Sequence, residues 1–370
     1  MPIAGSFITL NPEEGMDKIT QTEKVTTPYF SDGSTTLAAA SIVSTSLSDT
    51  NEQYFFGISN SSTPTVQEFN VAFGSDRGFG NTKISSDANA KFKSDAIYKQ
   101  FANLLLAPTE VTGGFFISSN GSAGAISSGK DREIFILSAT RTNMKDRINK
   151  GTWTIALSGS ATAHAKTGAP LIELTDDSVN SKPTSTIAGD RYNIVSGAAG
   201  VVSGSGASYK TYGHFYPDQG VLIFSQAELS ASLPGSGSNK DDVVVFDDSR
   251  HKGFGIGTST GVDKKTALRF VNCLQPTGAK LTFRDEEDQV SAQYFCRVRS
   301  GQMNFSNSPT FVSGSLNELR QKSMKGNPST FITQIQLYNG NGDMVAVGNL
   351  STPLIKSFTK EATIKVKLTY

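Results

Sequence analysis

The sequence predicts a mainly β protein with a few short helices, a β-rich α+β chain of antiparallel sheets or a sandwich with an inserted Gly/Ser-rich region. Three observations carry this. The final run, Ala362–Tyr370, alternates: Ala362, Ile364, Val366, Leu368 and Tyr370 point one way, Thr363, Lys365, Lys367 and Thr369 the other. A period of two is that of a strand with one buried face. Turn signals then join pairs of apolar runs. Asn339-Gly340-Asn341-Gly342 links Phe331–Tyr338 to Met344–Leu350, and Pro217-Asp218-Gln219-Gly220 splits Tyr209–Phe224; Asn and Gly tolerate the positive φ of tight turns. Finally, 23 Phe and 35 Gly stand against one Trp, a composition of strands and turns.

In chain order, residues 1–36 read as an N-terminal arm. Pro2, Pro12 and Pro28 break any long element there, and the segment is either disordered or ordered on a neighbouring subunit. Leu37–Leu47, Tyr54–Ser59 and Val66–Phe73 read as strands. Lys91–Leu106 is the clearest helix, with Phe92, Ala96, Ile97, Phe101, Leu104 and Leu105 at helical spacing and Pro108 beyond its end. Phe115–Ile117, Glu133–Ser138 and Thr152–Leu157 follow as strands, with Trp153 in core-type alternation. Residues 158–210 are rich in Gly, Ser, Ala and Thr. SGAAGVVSGSGAS (196–208) is open to a linker or, through Val201-Val202, a short hairpin. Ser225 with Glu228 is a capping box before a short helix that Pro234 closes. Val243–Phe246 reads as a buried strand, Lys264–Cys273 as a helix capped by Asp263, and Ser315 with Glu318 as a second capping box before a helix to Met324. The partition expected is an arm over 1–36, a β-rich core over 37–158 and 268–370, and an inserted region over 159–267.

A net charge of +1 provides no basic footprint for nucleic acid or an anionic membrane. No apolar run reaches the roughly 18 residues of a membrane span. The start, MPIAGSFITLNPEEG, reads as something other than a signal peptide. Two cysteines, Cys273 and Cys296, are too few for a disulfide framework and read as free buried thiols.

No motif yields chemistry. Gly257-Thr258-Ser259-Thr260-Gly261 matches G-x-S-x-G, but a nucleophile elbow needs a downstream His, and His164, His214 and His251 all precede Ser259. The run Gly253, Gly255, Gly257 lacks the full phosphate-loop or dinucleotide pattern. Three scattered His and two distant Cys lack metal-ligand spacing. Asp285-Glu286-Glu287-Asp288 reads as a solvated turn between strands, as do Asp241-Asp242 and Asp247-Asp248. Tyr294–Arg299 reads as a strand with alternating exposed arginines rather than a stacking platform for single strands. The expectation is no enzyme, no catalytic, metal or cofactor residues, and no cofactor.

Three segments carry a resemblance: YFFGISNSSTP (54–64), NSPTF (307–311) and the block from Phe331 to Tyr370. Together they resemble the gene-8 type baseplate wedge proteins of T4-like contractile-tailed bacteriophages. Phe55, Phe56, Gly57, Ser59 and Pro64 suit the family's early strand; Gly342, Met344, Pro353, Ile355, Glu361, Ile364 and Tyr370 suit its end. Asn60 stands where the family has Arg or Ser, and the Trp after the Pro is missing. The resemblance implies a structural virion protein of a phage tail, a β-rich homodimer or symmetric multimer that links neighbouring tail proteins in the baseplate wedge, made in the host cytoplasm. A neck, collar or tail-fibre attachment protein is the alternative in the same class. A glycan-binding β-sandwich module is the alternative in another class.

Overall fold

The computed structural model describes residues 8–11, 16–38, 42–44, 55–60, 62–76, 93–111, 114–117, 131–158, 172–203, 210–229, 266–274, 279–304 and 309–369. The chain is mainly β, with antiparallel sheets. It divides into two compact units, Val25–Glu287 and Met1–Lys24 with Asp288–Tyr370.

The strands are β1 (Lys18–Pro28), β2 (Thr36–Ala38), β3 (Ile42–Ser44), β4 (Phe55–Asn60), β5 (Thr63–Ser75), β6 (Glu133–Ala139), β7 (Arg147–Ile148), β8 (Thr154–Leu157), β9 (Ile172–Asp176), β10 (Thr184–Thr186), β11 (Gly189–Ala198), β12 (Val201–Val202), β13 (Thr211–Tyr216), β14 (Val221–Ser225), β15 (Lys280–Thr282), β16 (Arg284–Val298), β17 (Val312–Ser313), β18 (Glu318–Leu319), β19 (Ser329–Tyr338), β20 (Met344–Ser357) and β21 (Ala362–Thr369). The α-helices among the described residues are α1 (Lys93–Leu105) and α2 (Thr266–Leu274), with 3₁₀ turns at Pro309–Phe311 and Lys322–Met324.

In the larger unit one sheet runs β2-β15-β8-β9-β11-β13-β14-β6-β5-β4-β3, with β10 and β12 paired to β11. Its two end strands, β2 and β3, are separated in the chain by residues 39–41 alone. Four Cα–Cα steps span at most about 14 Å, so the sheet must curl until its ends nearly meet. One face packs a cluster with Phe69, Phe135, Trp153, Ile194, Phe224 and Phe283, into which α2 inserts Phe270 and Leu274. Phe270 stacks on Phe135 with ring centroids 5.6 Å apart. The second cluster joins Tyr98, Ala102 and Leu105 of α1 to Ile134, Ile136, Tyr216 and Ile223. Strands sandwiched between a helix on each side need apolar residues on both faces. That is why β6 and β14 read as continuous apolar runs rather than alternating ones.

The smaller unit holds the sheet β1-β16-β21 and two separate hairpins, β17–β18 and β19–β20. β21 pairs antiparallel with β16 from Ser291↔Thr369 to Val298↔Ala362.

Several expectations change. Residues 1–36 are not simply an arm: β1 is bonded into a sheet, and Tyr29 and Phe30 lie in the large core. Residues 159–267 are not an insertion, because β9, β11, β13 and β14 occupy the middle of the large sheet. The small residues of that stretch fit a hairpin, with Ala199 at φ 48° and Gly200 at φ 76° turning β11 into β12. Asp285 and Glu286 are not in a solvated turn; they are buried in β16. Ser315–Glu318 caps no helix but turns β17 into β18, with Gly314 at φ 80° and Asn317 at φ 50°, and the helix expected to reach Met324 is a single 3₁₀ turn, Lys322–Met324. At Ser225, Oγ accepts from the Glu228 N–H at 3.2 Å, as a cap does. Ser259, His164, His251, Val243–Phe246 and the paired aspartates at 241–242 and 247–248 lie outside the described residues.

Candidate functional site

The distribution of apolar side chains singles out the smaller unit. Among the described residues 48 apolar side chains are buried, and only Ala292, Val298 and Ala362 belong to that unit. Of seventeen exposed large apolar side chains, twelve belong to it. Seven of those lie on one element, the ribbon β19–β20: Phe331, Tyr338, Met344, Val345, Val347, Leu354 and Ile355.

The ribbon is a long hairpin with no third strand among the described residues. Its pairing runs from Ser329↔Ser357 to Tyr338↔Met344, with register shifts between Ile332 and Gln334 and between Leu337 and Tyr338. The tip is closed by a side chain. Asn339 Oδ1 accepts from the N–H groups of Asn341 (3.0 Å) and Asp343 (2.8 Å), and Asn339 Nδ2 donates to Asp343 Oδ2 at 3.0 Å. Gly342, at φ 87°, supplies the left-handed residue. One face of β19 carries an amide ladder: Tyr338 Oη donates to Gln336 Oε1 (2.6 Å), and Gln336 Nε2 to Gln334 Oε1 (3.0 Å). The opposite face of β19 carries Ile335 and Leu337, each half-buried.

The base of the ribbon is clamped. Lys356 is 0% exposed, and its Nζ donates to Ser300 O (2.9 Å), Asn304 Oδ1 (2.9 Å) and Ser357 O (3.0 Å). Three acceptors match the three donors of an ammonium group, which is how a buried lysine is satisfied without a carboxylate. Thr330 Oγ1 donates to Met303 O at 2.7 Å. The ribbon is therefore fixed at its foot and exposed along its length.

Two of the carboxylates buried in the larger unit are held by neighbouring donors. Glu286 accepts from Arg147 Nη1 (3.1 Å) and Asn149 Nδ2 (2.7 Å). Asp176 accepts from the N–H groups of Gly151 and Ser178. His214 is buried beside Arg191, and both burial and that cation push its imidazole down to about 3. It is neutral near pH 7. Trp153 is fully buried and stacks on Phe283 at 5.7 Å, so it offers no face to a sugar. Cys273 is buried and Cys296 is half-buried. Among the described residues no group of three or more His, Cys, Asp or Glu is placed to hold a metal ion. None of the described helices is long and apolar enough to cross a membrane.

The sequence located the ribbon's strands and turn. It did not reveal their exposure, because an alternating apolar run looks the same whether its partner lies in the same chain or another. The signal present was charge: between Gly326 and Ile355 the only charged residue is Asp343. Comparison with protein-family models, curated proteins and solved structures gives no match.

Proposed function

We propose that the protein is a structural subunit of a larger assembly, and that its smaller unit is completed by neighbouring subunits. The observation that carries this is the imbalance of burial. Among its described residues the unit has three buried apolar side chains against twelve exposed large ones, short of the core that a small fold needs. Isolated two-stranded ribbons are marginal in water. Exposed apolar surface concentrated on one element marks an interaction site, and free strand edges offer main-chain groups for strand addition. The sequence resemblance gives this assembly a place, the tail baseplate wedge of a contractile-tailed phage, with other tail proteins as partners and the virion as the location.

The experiment replaces residues 333–352, the outer ribbon, by a Gly-Gly link. The shortened protein is expected to keep the thermal transition of the larger unit and to lose incorporation into tails by more than tenfold, scored by peptide mass spectrometry of purified particles. Normal incorporation of the shortened chain, or absence of the intact chain from purified particles, overturns the reading.

A further inference from the structure

The ribbon's two long edges differ in kind. The β20 edge is interrupted: pairing jumps from Ile332↔Leu354 to Gln334↔Asn349, so residues 350–353 stand outside the ladder, and Pro353 among them lacks an N–H. The β19 edge is less broken, since only Thr333 stands outside the ladder. Its ten residues, STFITQIQLY, contain no Pro, no Gly and no charge. Exposed edges are ordinarily guarded by charge, proline or bulges. Those guards are present on the other outer strands of the same unit: Lys365 and Lys367 on β21, and Lys18, Glu23, Lys24 and Pro28 on β1. Among these edges β19 alone carries neither a charge nor a proline.

We infer that β19 is the seam at which a second copy of this chain adds, strand to strand and antiparallel, about a two-fold axis. The inference rests on the assembly reading above and gives it a surface. Two features favour a second copy over a different protein. First, β19 carries nothing that repels itself. The ribbon's one exposed charge, Asp343, sits at the tip, and antiparallel pairing sends the two tips to opposite ends. Second, the strand is self-complementary. A two-fold axis perpendicular to the sheet keeps each side chain on its own face, so residues that meet differ by an even number. The axis then passes beside one mid-strand residue, Thr333 or Gln334. Beside Thr333, Phe331 meets Ile335 of the other copy; beside Gln334, it meets Leu337 of the other copy, and the two Gln334 amides meet each other. Either register covers Phe331, which is 61% exposed, with an aliphatic side chain. The product is a four-stranded sheet made from two ribbons that are each marginal alone.

The test uses the full chain carrying Cys296→Ser, which removes the half-buried thiol and leaves the buried Cys273. Thr333→Cys and Gln334→Cys are compared with Leu316→Cys, an 82% exposed control outside the ribbon. Directly opposed residues of antiparallel strands have Cα atoms about 4.5–5.5 Å apart, within disulfide range. Under mild oxidation one of the two ribbon variants is expected to give a covalent dimer at least tenfold faster than the control. Gln334→Lys, at an exposed position, is expected to convert the sedimenting species from dimer to monomer, with the larger unit's thermal transition unchanged and the smaller unit's no higher than before. The proposal is overturned by a chain that sediments as a monomer, or by a dimer in which neither ribbon cysteine cross-links faster than Leu316→Cys. It is also overturned if Gln334→Lys stays dimeric while losing incorporation into particles. That result assigns the edge to a strand of a different protein and leaves the assembly reading standing.

Discussion

Asp285 and Asp131 are carboxylic acids held where a carboxylate is poorly solvated. Burial raises Asp285 to about 7, against partial relief from the Lys145 N–H and from the Lys145 and Arg141 charges. Burial raises Asp131 to about 6, although Ser225 and the Ile117 N–H hydrogen-bond it. The sign follows from linkage. A folded-state acid raised above its ordinary value near 3.8 binds protons more tightly than in the unfolded chain. Its contribution to stability is fully present below that ordinary value and is lost as pH rises through the folded one. For Asp285 the loss falls between about pH 4 and pH 7. Asp285→Asn, which has no charge to bury, is expected to melt higher than the unmodified protein at pH 8 and within a degree or so of it near pH 4.5. Thermal melts at the two pH values check this; an equal shift at both would show that packing, not ionisation, sets the effect. The acidic run of 285–288 gave no hint of this in the sequence, where four adjacent acids read as solvated. Glu286 is held by Arg147 and Asn149, well over a hundred residues away, and such partners leave no mark on local composition.

At the scale of the element, β21 shows how far periodicity carries. Its alternation is present in the structure, yet Ile364, Val366 and Leu368 are half-buried and only Ala362 is fully covered. An apolar face that is half-covered makes substitution milder than in a closed core. Val366→Asp is expected to destabilise the smaller unit by about 1–2 kcal/mol, the low end for placing a polar group in a partly apolar site. Lys365→Asp, on the polar face opposite Phe295, should leave the melt unchanged. A fall of several kcal/mol for Val366→Asp would mean that the face is closed in solution. Elements with strong local signals were legible: α1 with its Pro108 stop, the β13–β14 hairpin around Pro217–Gly220, and the β19–β20 turn at Asn339–Gly342. Those set by distant partners were not. β15 is three residues long and is a strand only because β2 and β8 flank it. The capping-box spelling at Ser315 lost to a tight turn, since Gly314 and Asn317 adopt the left-handed conformations a hairpin needs and a helix cannot use.

For the whole molecule the two units differ in what stabilises them. The larger has two apolar clusters and a sheet packed on both faces; the smaller has three buried apolar side chains among its described residues. Unfolding of the isolated chain is therefore expected in two steps rather than one. Calorimetry should resolve a minor transition at lower temperature, and hydrogen exchange should place the faster amides at 288–369. In the assembled state the minor transition should rise toward the major one, because a partner that binds only the folded unit stabilises it by mass action. A single sharp transition for the free chain would rule this out. The order of strands in the large sheet could not be read from the sequence, since it depends on which distant segments close the curl, and residues 36–38 and 280–282 meet there as neighbours.

The pairing of β1 with β16 has a consequence in time. Gln21 and its partner Ser291 are 270 residues apart. At a synthesis rate of about 5–20 residues per second, β1 leaves the ribosome roughly 14–54 s before the strand that will cover it. For that interval it is an open edge on a nascent chain, available to any other unfinished chain nearby. Its sequence, KITQTEKVTTP, suits the wait: Lys18, Glu23, Lys24 and the closing Pro28 keep it soluble and unpaired. The early strand is charged and the late ribbon is bare, so the surface most able to bind another chain is made only after the whole of the larger unit.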